Sequence, residues 1–166
     1  MRFPGAFLAV AAIAVAVTGC SAVDNASKSD VAKTKVGDCI NITDNSSNDT
    51  KGEAIDCSSP KAVYKVFQTF DKQTSCPTND YTTYSEQRPS GGATYMCLAP
   101  NLKKDACYND VGTSPYKWAE CGSKEATIKV VERVEGTTDE MQCPETTETF
   151  ITVPDPKALF CLGKPV

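Results

Sequence analysis

Apolar and polar residues alternate along short stretches of this chain. Over residues 62–70, Tyr64 and Val66 fall on one face, and Lys65 and Thr69 fall on the other. An alternation with a period of two is typical of a β-strand that buries one face. The pattern therefore predicts a strand at 62–70.

Similar stretches occur on both sides of this strand, separated by segments rich in Asn, Ser, Asp, Gly and Pro. Such segments are typical of turns between strands. The predicted strands of the first half are 37–42, 52–57, 62–70, 81–86 and 93–98. The second half repeats the alternation around 128–134 and predicts a hairpin from strands 147–153 and 158–162.

The two halves are related by an internal duplication. The ten residues CSSPKAVYKV at 57–66 return as CGSKEATIKV at 121–130. Extending the match aligns eight cysteines: Cys39, Cys57, Cys76 and Cys97 correspond in order to Cys107, Cys121, Cys143 and Cys161. We predict a mainly β fold, with α+β as the alternative, made of two tandem antiparallel β domains at 36–100 and 101–166.

Residues 1–19 have the features of an export signal. Met1 and Arg2 precede an apolar run at 3–17 that is too short to cross about 30 Å of hydrocarbon. The sequence Val-Thr-Gly-Cys at 17–20 resembles a bacterial lipobox, in which the cysteine thiol receives diacylglycerol. We therefore expect Cys20 to be lipidated, to become the first residue of the mature protein and to anchor it in the membrane.

Residues 20–35 lack any periodicity and are composed mainly of Ser, Ala, Asp, Asn, Lys and Val. This composition predicts a flexible, lipid-anchored tether with a reach of about 20 Å. Removing residues 1–19 takes away Arg2, so the formal charge changes from −4 to −5 (−4 − 1). The mildly acidic chain has no basic cluster in its sequence, which argues against nucleic acid and against electrostatic binding to anionic lipid.

The eight aligned cysteines of an exported chain predict disulfides, which small domains need for stability. Eight cysteines permit 105 pairings, and three patterns survive if each copy is self-contained and the copies are alike. The predicted hairpins bring together the first two and the last two cysteines of each copy. The expected bridges are Cys39–Cys57, Cys76–Cys97, Cys107–Cys121 and Cys143–Cys161.

Other chemistry finds little support in the sequence. The chain has no His and no Cys-x-x-Cys, so we predict no metal and no cofactor. Two Ser-x-x-Lys matches, Ser58 with Lys61 and Ser114 with Lys117, lack the Ser-Asp-Asn and Lys-Thr-Gly companions of penicillin-interacting enzymes. We assign no catalytic residue and predict that the protein is not an enzyme.

One difference between the copies concerns aromatic residues. Tyr116 and Trp118 share a strand face on which the first copy has Gly52 and Ala54. The aromatic pair either fills the seam between the copies or forms an exposed patch that contacts a partner, since Trp and Tyr dominate interface hot spots.

Several motifs in succession resemble those of actinobacterial lipoproteins of the LppU kind. The motifs are KVGDC at 35–39, IDCSSP at 55–60, KV at 65–66, CP at 76–77 and YMCL at 95–98. They are also similar, more distantly, to septum-formation domains, although Lys61 stands where that pattern has His. The resemblance implies an envelope location and supplies no catalytic residues.

Taken together, these features favour a non-enzymatic, lipid-anchored protein on the extracytoplasmic face of the cell membrane. Its expected partner is an unidentified envelope protein or cell-wall component. The alternative is an extracytoplasmic carrier or receptor for a small or lipidic ligand held between the copies.

Overall fold

The computed structural model describes residues 28–46, 49–88, 91–110 and 116–165. Within these ranges, almost all regular structure is β, arranged as two five-stranded antiparallel sheets. The prediction of a mainly β fold is confirmed, and the α+β alternative is not observed. No helix in the described ranges has the length and apolar character needed to cross a bilayer.

The first sheet has the strand order β2-β1-β3-β5-β4. Its strands are β1 (Cys39–Ser46), β2 (Asp49–Ile55), β3 (Tyr64–Phe70), β4 (Thr82–Gln87) and β5 (Ala93–Pro100). The edge strands β2 and β4 contact each other, so the sheet curls upon itself. The first hairpin is longer than the sequence predicted, because β1 extends beyond the predicted strand 37–42 to Ser46, and β2 begins at Asp49, before the predicted strand 52–57.

The second sheet repeats this order as β7-β6-β8-β10-β9. Its strands are β6 (Cys107–Asn109), β7 (Lys117–Ala119), β8 (Ile128–Glu135), β9 (Thr149–Pro154) and β10 (Lys157–Gly163), with a short 3₁₀ turn at Glu140–Gln142. The identical order confirms the internal duplication. The hairpin of β6 and β7 is much shorter than its counterpart in the first sheet.

Both sheets contain a β-bulge at the same position. Val66 pairs with Leu98 and Gln68 pairs with Cys97, which leaves Phe67 as the extra residue of β3. In the second sheet the pairing of β8 with β10 skips Val131 in the same way. The bulge explains why Phe67 is out of phase with the alternation of its strand.

Four disulfides close the hairpins with the predicted connectivity. They are Cys39–Cys57, Cys76–Cys97, Cys107–Cys121 and Cys143–Cys161. The paired Cα atoms lie 5.0–5.6 Å apart, within the usual range for a disulfide. Each half of the chain therefore carries two internal bridges.

One hydrophobic cluster extends through both sheets. It includes Ile40, Tyr64 and Leu98 from the first repeat, and Tyr108 and Phe160 from the second. All five of these side chains are fully buried. The two repeats consequently share one core, although each sheet is complete by itself.

The N-terminal segment differs from the prediction. Residues 1–19 and 20–27 lie outside the described residues. In contrast to the predicted tether, residues 29–35 form a turn against the first sheet, where Val31 is only 1% exposed. Ser29 N donates to Glu86 Oε1 at 3.0 Å, and Ser29 Oγ donates to Glu86 Oε2. The extent predicted for the tether is therefore wrong at its C-terminal end, because burial of Val31 fixes this segment to the domain.

Candidate functional site

A cleft of about 380 Å³ lies between the two repeats, and we call it the junction cleft. The first repeat contributes the start of β3 and the turn leading into β4, and the second contributes β9 and the residues at either end of the β6–β7 connection. The residues that line the cleft are Tyr64, Asn79, Asp80, Thr82, Asp110, Tyr116, Phe150, Ile151 and Thr152. Neither repeat forms this cleft alone.

Two tyrosines join the repeats at the cleft. The backbone N–H of Tyr116 donates to the Tyr64 hydroxyl oxygen at 2.7 Å, and the two ring centroids lie 6.5 Å apart. The Tyr64 hydroxyl also hydrogen-bonds the side chain of Thr82. This part of the cleft is therefore held by hydrogen bonds as well as by packing.

Both tyrosine hydroxyls stay protonated at physiological pH. Burial raises the pKa of Tyr64 far above its ordinary value, and this effect outweighs its hydrogen bonds to Thr82 and Tyr116. Burial, followed by the charges of Asp110 and Asp80, raises the pKa of Tyr116 to about 12. Both hydroxyls are thus neutral, but Tyr64 is fully buried and already bonded to Tyr116 and Thr82, so the partly exposed Tyr116 is the one of the two that can meet a ligand.

Two carboxylates give the junction cleft a negative charge. The backbone of Asp110 is fixed by the Thr127 hydroxyl, which accepts from Asp110 N at 2.7 Å and lies 3.2 Å from Asp110 O. Asp80 N donates to Thr78 Oγ1 at 3.2 Å within the turn before β4. Asp80 and Asp110 are the charged residues that line the described part of the cleft, and both are acidic.

The opposite wall is formed by β9, which lies at the edge of the second sheet. Phe150 is 43% exposed, whereas Ile151 packs against the core. A contact near this wall links the repeats again: the Tyr81 hydroxyl donates to Asp155 O at 2.6 Å. Hydrogen bonds therefore join the two repeats on both sides of the cleft, and the half-exposed ring of Phe150 remains available to a ligand.

The structure places the two aromatic residues singled out in the sequence in different environments. Tyr116 lies in the seam against Tyr64 and borders the junction cleft. Trp118 is 36% exposed at the rim of the seam, where Lys61 Nζ lies 5.5 Å from its ring centroid. Trp118 lines a separate groove with Pro60 and residues 103–107. Tyr116 therefore lies in the seam between the copies, which was the first alternative, whereas Trp118 is partly exposed, as the second alternative requires.

The first Ser-x-x-Lys match does not form a Ser–Lys pair. Ser58 Oγ donates to Asp56 Oδ1 at 2.6 Å, and Lys61 is directed to the Trp118 ring. Hydrogen bonds from the Ser58 side chain and backbone lower the pKa of Asp56. In the second match, Ser114 lies outside the described residues, and Lys117 Nζ donates to Thr43 O at 3.4 Å.

The acidic and sulfur-containing residues gather into no metal-binding group of three or more within the described ranges. The eight aligned cysteines are all in disulfides there, and Cys20 lies outside the part described.

Sequence reasoning missed most of the junction cleft, although a signal was present. Asp110 replaces Ile42 of the first copy, Phe150 replaces Thr83, and Tyr116 replaces Gly52, as the strand registers show. These replacements change the chemistry at positions where the copies align. A search for such positions over the whole duplication would have found more of the cleft than the aromatic pair alone.

Comparison with protein-family models, with curated proteins and with solved structures finds no match for this chain.

Proposed function

We propose that this protein is a non-enzymatic, lipid-anchored binding protein of the cell envelope, and that the junction cleft binds a neutral, hydroxyl-rich component such as a wall glycan. The observation that carries the proposal is the composition of the cleft. Acceptors, neutral hydroxyls and a half-exposed aromatic ring converge at a junction that only the two repeats together create.

The polar groups of the cleft match a ligand rich in hydroxyls. The carboxylates of Asp80 and Asp110 are acceptors, and the hydroxyls of Thr82, Thr152 and Tyr116 both donate and accept. A sugar hydroxyl also donates and accepts, so it satisfies either kind of partner. The apolar face of a sugar ring packs against an exposed aromatic face such as that of Phe150.

The acidic residues of the cleft also bear on the charge of the ligand. An anionic ligand would be repelled by the carboxylates of Asp80 and Asp110, which line the cleft. A cationic ligand would gain from the same carboxylates, but its affinity would fall steeply with salt. A neutral ligand is distinguished by an affinity that depends little on ionic strength.

The expected location supports a partner in the envelope. The lipobox-like segment ending at Cys20, the disulfides and the resemblance to lipoproteins of the LppU kind all favour the extracytoplasmic face of the cell membrane. A protein anchored there is close to wall polymers and to other envelope proteins.

The test is calorimetric titration of the oxidised mature chain with neutral oligosaccharides released from cell wall. We expect Phe150→Ala to weaken binding about tenfold or more, because it removes the apolar wall of the cleft. Met141→Ala is the matched control, since Met141 is 85% exposed and is not among the residues that line the cleft. Absence of binding, or equal effects of the two substitutions, would contradict the proposal.

The second candidate function is a carrier for a small ligand. The cleft volume of about 380 Å³ falls within the range of small-molecule sites, about 300–1,000 Å³, and the polar lining favours a polar ligand over a lipid chain. Native mass spectrometry of the protein purified from its own envelope distinguishes the two functions. A retained small molecule, lost in Phe150→Ala, would favour the carrier.

A further inference from the structure

The junction cleft runs along the edge of β9, the last strand of the second sheet. Phe150, Ile151 and Thr152 are consecutive in β9, and all three line the cleft. Side chains alternate between the two faces of a strand, so a cleft over one face would be lined by every second residue. A cleft that all three residues line in succession therefore follows the edge of the strand, where its backbone lies.

The register shows which backbone groups of β9 point away from the sheet. The carbonyl of Lys157 accepts a hydrogen bond of 2.7 Å from the residue after β8, and the carbonyl of Leu162 accepts one of 2.8 Å from the residue before β9. Backbone groups alternate in direction along an antiparallel strand. The hydrogen-bonded pairs between β10 and β9 are therefore Ala158–Val153, Phe160–Ile151 and Leu162–Thr149. The N–H and C=O groups of Phe150 and Thr152 consequently point outward.

These outward groups of Phe150 and Thr152 have no hydrogen-bond partner among the described residues. In the first repeat, the corresponding strand β4 contacts β2. The equivalent of β2 is β7, which is only three residues long and pairs with β6 alone among the described strands. The edge of β9 thus offers two N–H donors and two C=O acceptors to the junction cleft.

We propose that the ligand of the junction cleft is an oligosaccharide of N-acetylated amino sugars, whose acetamido group hydrogen-bonds the edge of β9. The inference rests on the proposed function of the cleft and names the class of sugar that the cleft selects. An acetamido group carries one N–H donor and one C=O acceptor on opposite sides of a planar amide, as a peptide group does. It therefore bonds to an edge strand in the way that a neighbouring strand would.

The other groups of the cleft suit the same ligand. An amide is neutral, so it brings no charge near Asp80 and Asp110. The ring of Phe150 is 43% exposed beside the edge, where the apolar face of the sugar ring packs against it. A hydroxyl in place of the acetamido group has its donor and its acceptor on a single atom, so it pairs with the edge less completely.

The test compares two neutral tetrasaccharides with the same linkage, one of N-acetylglucosamine and one of glucose. They differ only in that an acetamido group replaces a hydroxyl on each ring. Calorimetric titration of the oxidised mature chain measures both affinities. We expect the N-acetylated tetrasaccharide to bind about tenfold more tightly, because it adds hydrogen bonds to the edge of β9.

Thr152→Pro tests the backbone directly. It removes the outward N–H and keeps the hydrogen bonds between β9 and β10, since proline is tolerated where a strand N–H faces away from the sheet. The preference for the N-acetylated tetrasaccharide should fall to about twofold or less. Thr152→Val is the matched control, because it removes only the side-chain hydroxyl and should preserve the preference. Urea denaturation verifies that both variants are folded, and the comparison of ligands on the wild type requires neither variant.

The outcomes separate this inference from the proposed function. Equal affinity of the wild type for the two tetrasaccharides would overturn the acetamido assignment and leave glycan binding intact. Binding of neither would contradict the proposed function as well. Tighter binding of a blocked alanine tripeptide than of the N-acetylated tetrasaccharide would also overturn the assignment, since the edge would then select a peptide.

Discussion

The equivalent strands β2 and β7 show how two copies of one motif came to differ. Gly52 in β2 is so close to β1 that a Cβ there would lie 2.8 Å from Asn41 O, and 3.5 Å from Val31 Cγ2. At the matching position, β7 begins directly after Tyr116, which packs against Tyr64 of the first repeat. The N-terminal segment thus covers the first repeat beside Gly52. In the second repeat the equivalent residue is Tyr116, and its ring packs against the first repeat.

This difference indicates where the candidate site lies. The strand order, the bulges and the disulfides are the same in both repeats, so they account for the stability of each sheet and not for a binding site. The junction cleft is formed largely by positions at which the copies differ, including Asp110, Tyr116 and Phe150. The candidate site is therefore associated with positions that differ between the repeats, and not with the strand order, bulges and disulfides that the repeats share.

The largest effect should come from removing equivalent disulfides in the two repeats. Cys39→Ala/Cys57→Ala and Cys107→Ala/Cys121→Ala open segments with sequence separations of 18 and 14 residues. Each pair should lower the free energy of unfolding by about 3 kcal/mol. Urea denaturation followed by circular dichroism measures both losses. A loss below about 1 kcal/mol in one repeat alone would show that the equivalent disulfides do not stabilise the two repeats equally.

The aromatic pair should show unequal effects. Tyr116→Ala should lower the free energy of unfolding by about 2 to 3 kcal/mol, because the ring packs between the repeats. Trp118→Ala should cost less, about 1 kcal/mol, because Trp118 is 36% exposed at the rim of the seam, where it contacts Lys61.

Tyr116→Phe is the control for the seam, since the hydrogen bond to Tyr64 comes from the backbone of residue 116 and survives the substitution. Chemical denaturation of the three variants gives the ranking. A larger loss for Trp118→Ala than for Tyr116→Ala would contradict the assignment of Tyr116 to the seam.

The N-terminal cover of the first repeat is tested by Val31→Ala. Val31 is 1% exposed, so removing two methyl groups should lower the free energy of unfolding by about 2 kcal/mol. Val36→Ala, at a position 65% exposed, should change it by less than about 0.5 kcal/mol. If the two substitutions have equal effects by thermal or urea denaturation, residues 29–35 do not cover the sheet.

The smallest effect is the pH dependence of this cover. Burial raises the pKa of Glu86, but hydrogen bonds from Ser29 and Tyr84 outweigh burial, so its pKa is lowered overall. A lowered pKa stabilises the folded form above the unfolded value of about 4.3, and this contribution is lost as pH falls through the folded value. The protection factors of the Ala32 and Thr34 amides, which correct for the intrinsic effect of pH on exchange, should therefore fall as pH decreases, and Glu86→Gln should remove that fall. Protection factors that do not change with pH in the wild type would contradict the role of Glu86.

The strands, the duplication and the disulfide pairing could be predicted because they follow from local sequence patterns. Alternation identified most strands, and the alignment of Cys57 with Cys121 fixed the duplication from which the disulfide pairing followed. The extension of the first hairpin was not predicted, because its polar residues at 44–51 show no alternation. Val31 gave no signal either, since one buried side chain in a polar segment depends on the distant Gly52 for its space.

The junction cleft could not be predicted from spacing, because Asp80, Asp110 and Phe150 come from separate turns and strands. Their proximity results from how the repeats pack, and that packing depends on contacts such as Tyr81 with Asp155. Part of the cleft could be predicted only from the duplication, because aligning the two copies identifies the positions at which they differ.

Hydrogen exchange of the oxidised mature chain, with and without saturating neutral wall oligosaccharide, shows whether the junction cleft binds a glycan. Binding should slow exchange at residues 79–82, 108–110 and 149–152, which come from both repeats and border the junction cleft. Unchanged exchange at all three segments, or protection confined to the groove beside Trp118, would contradict it.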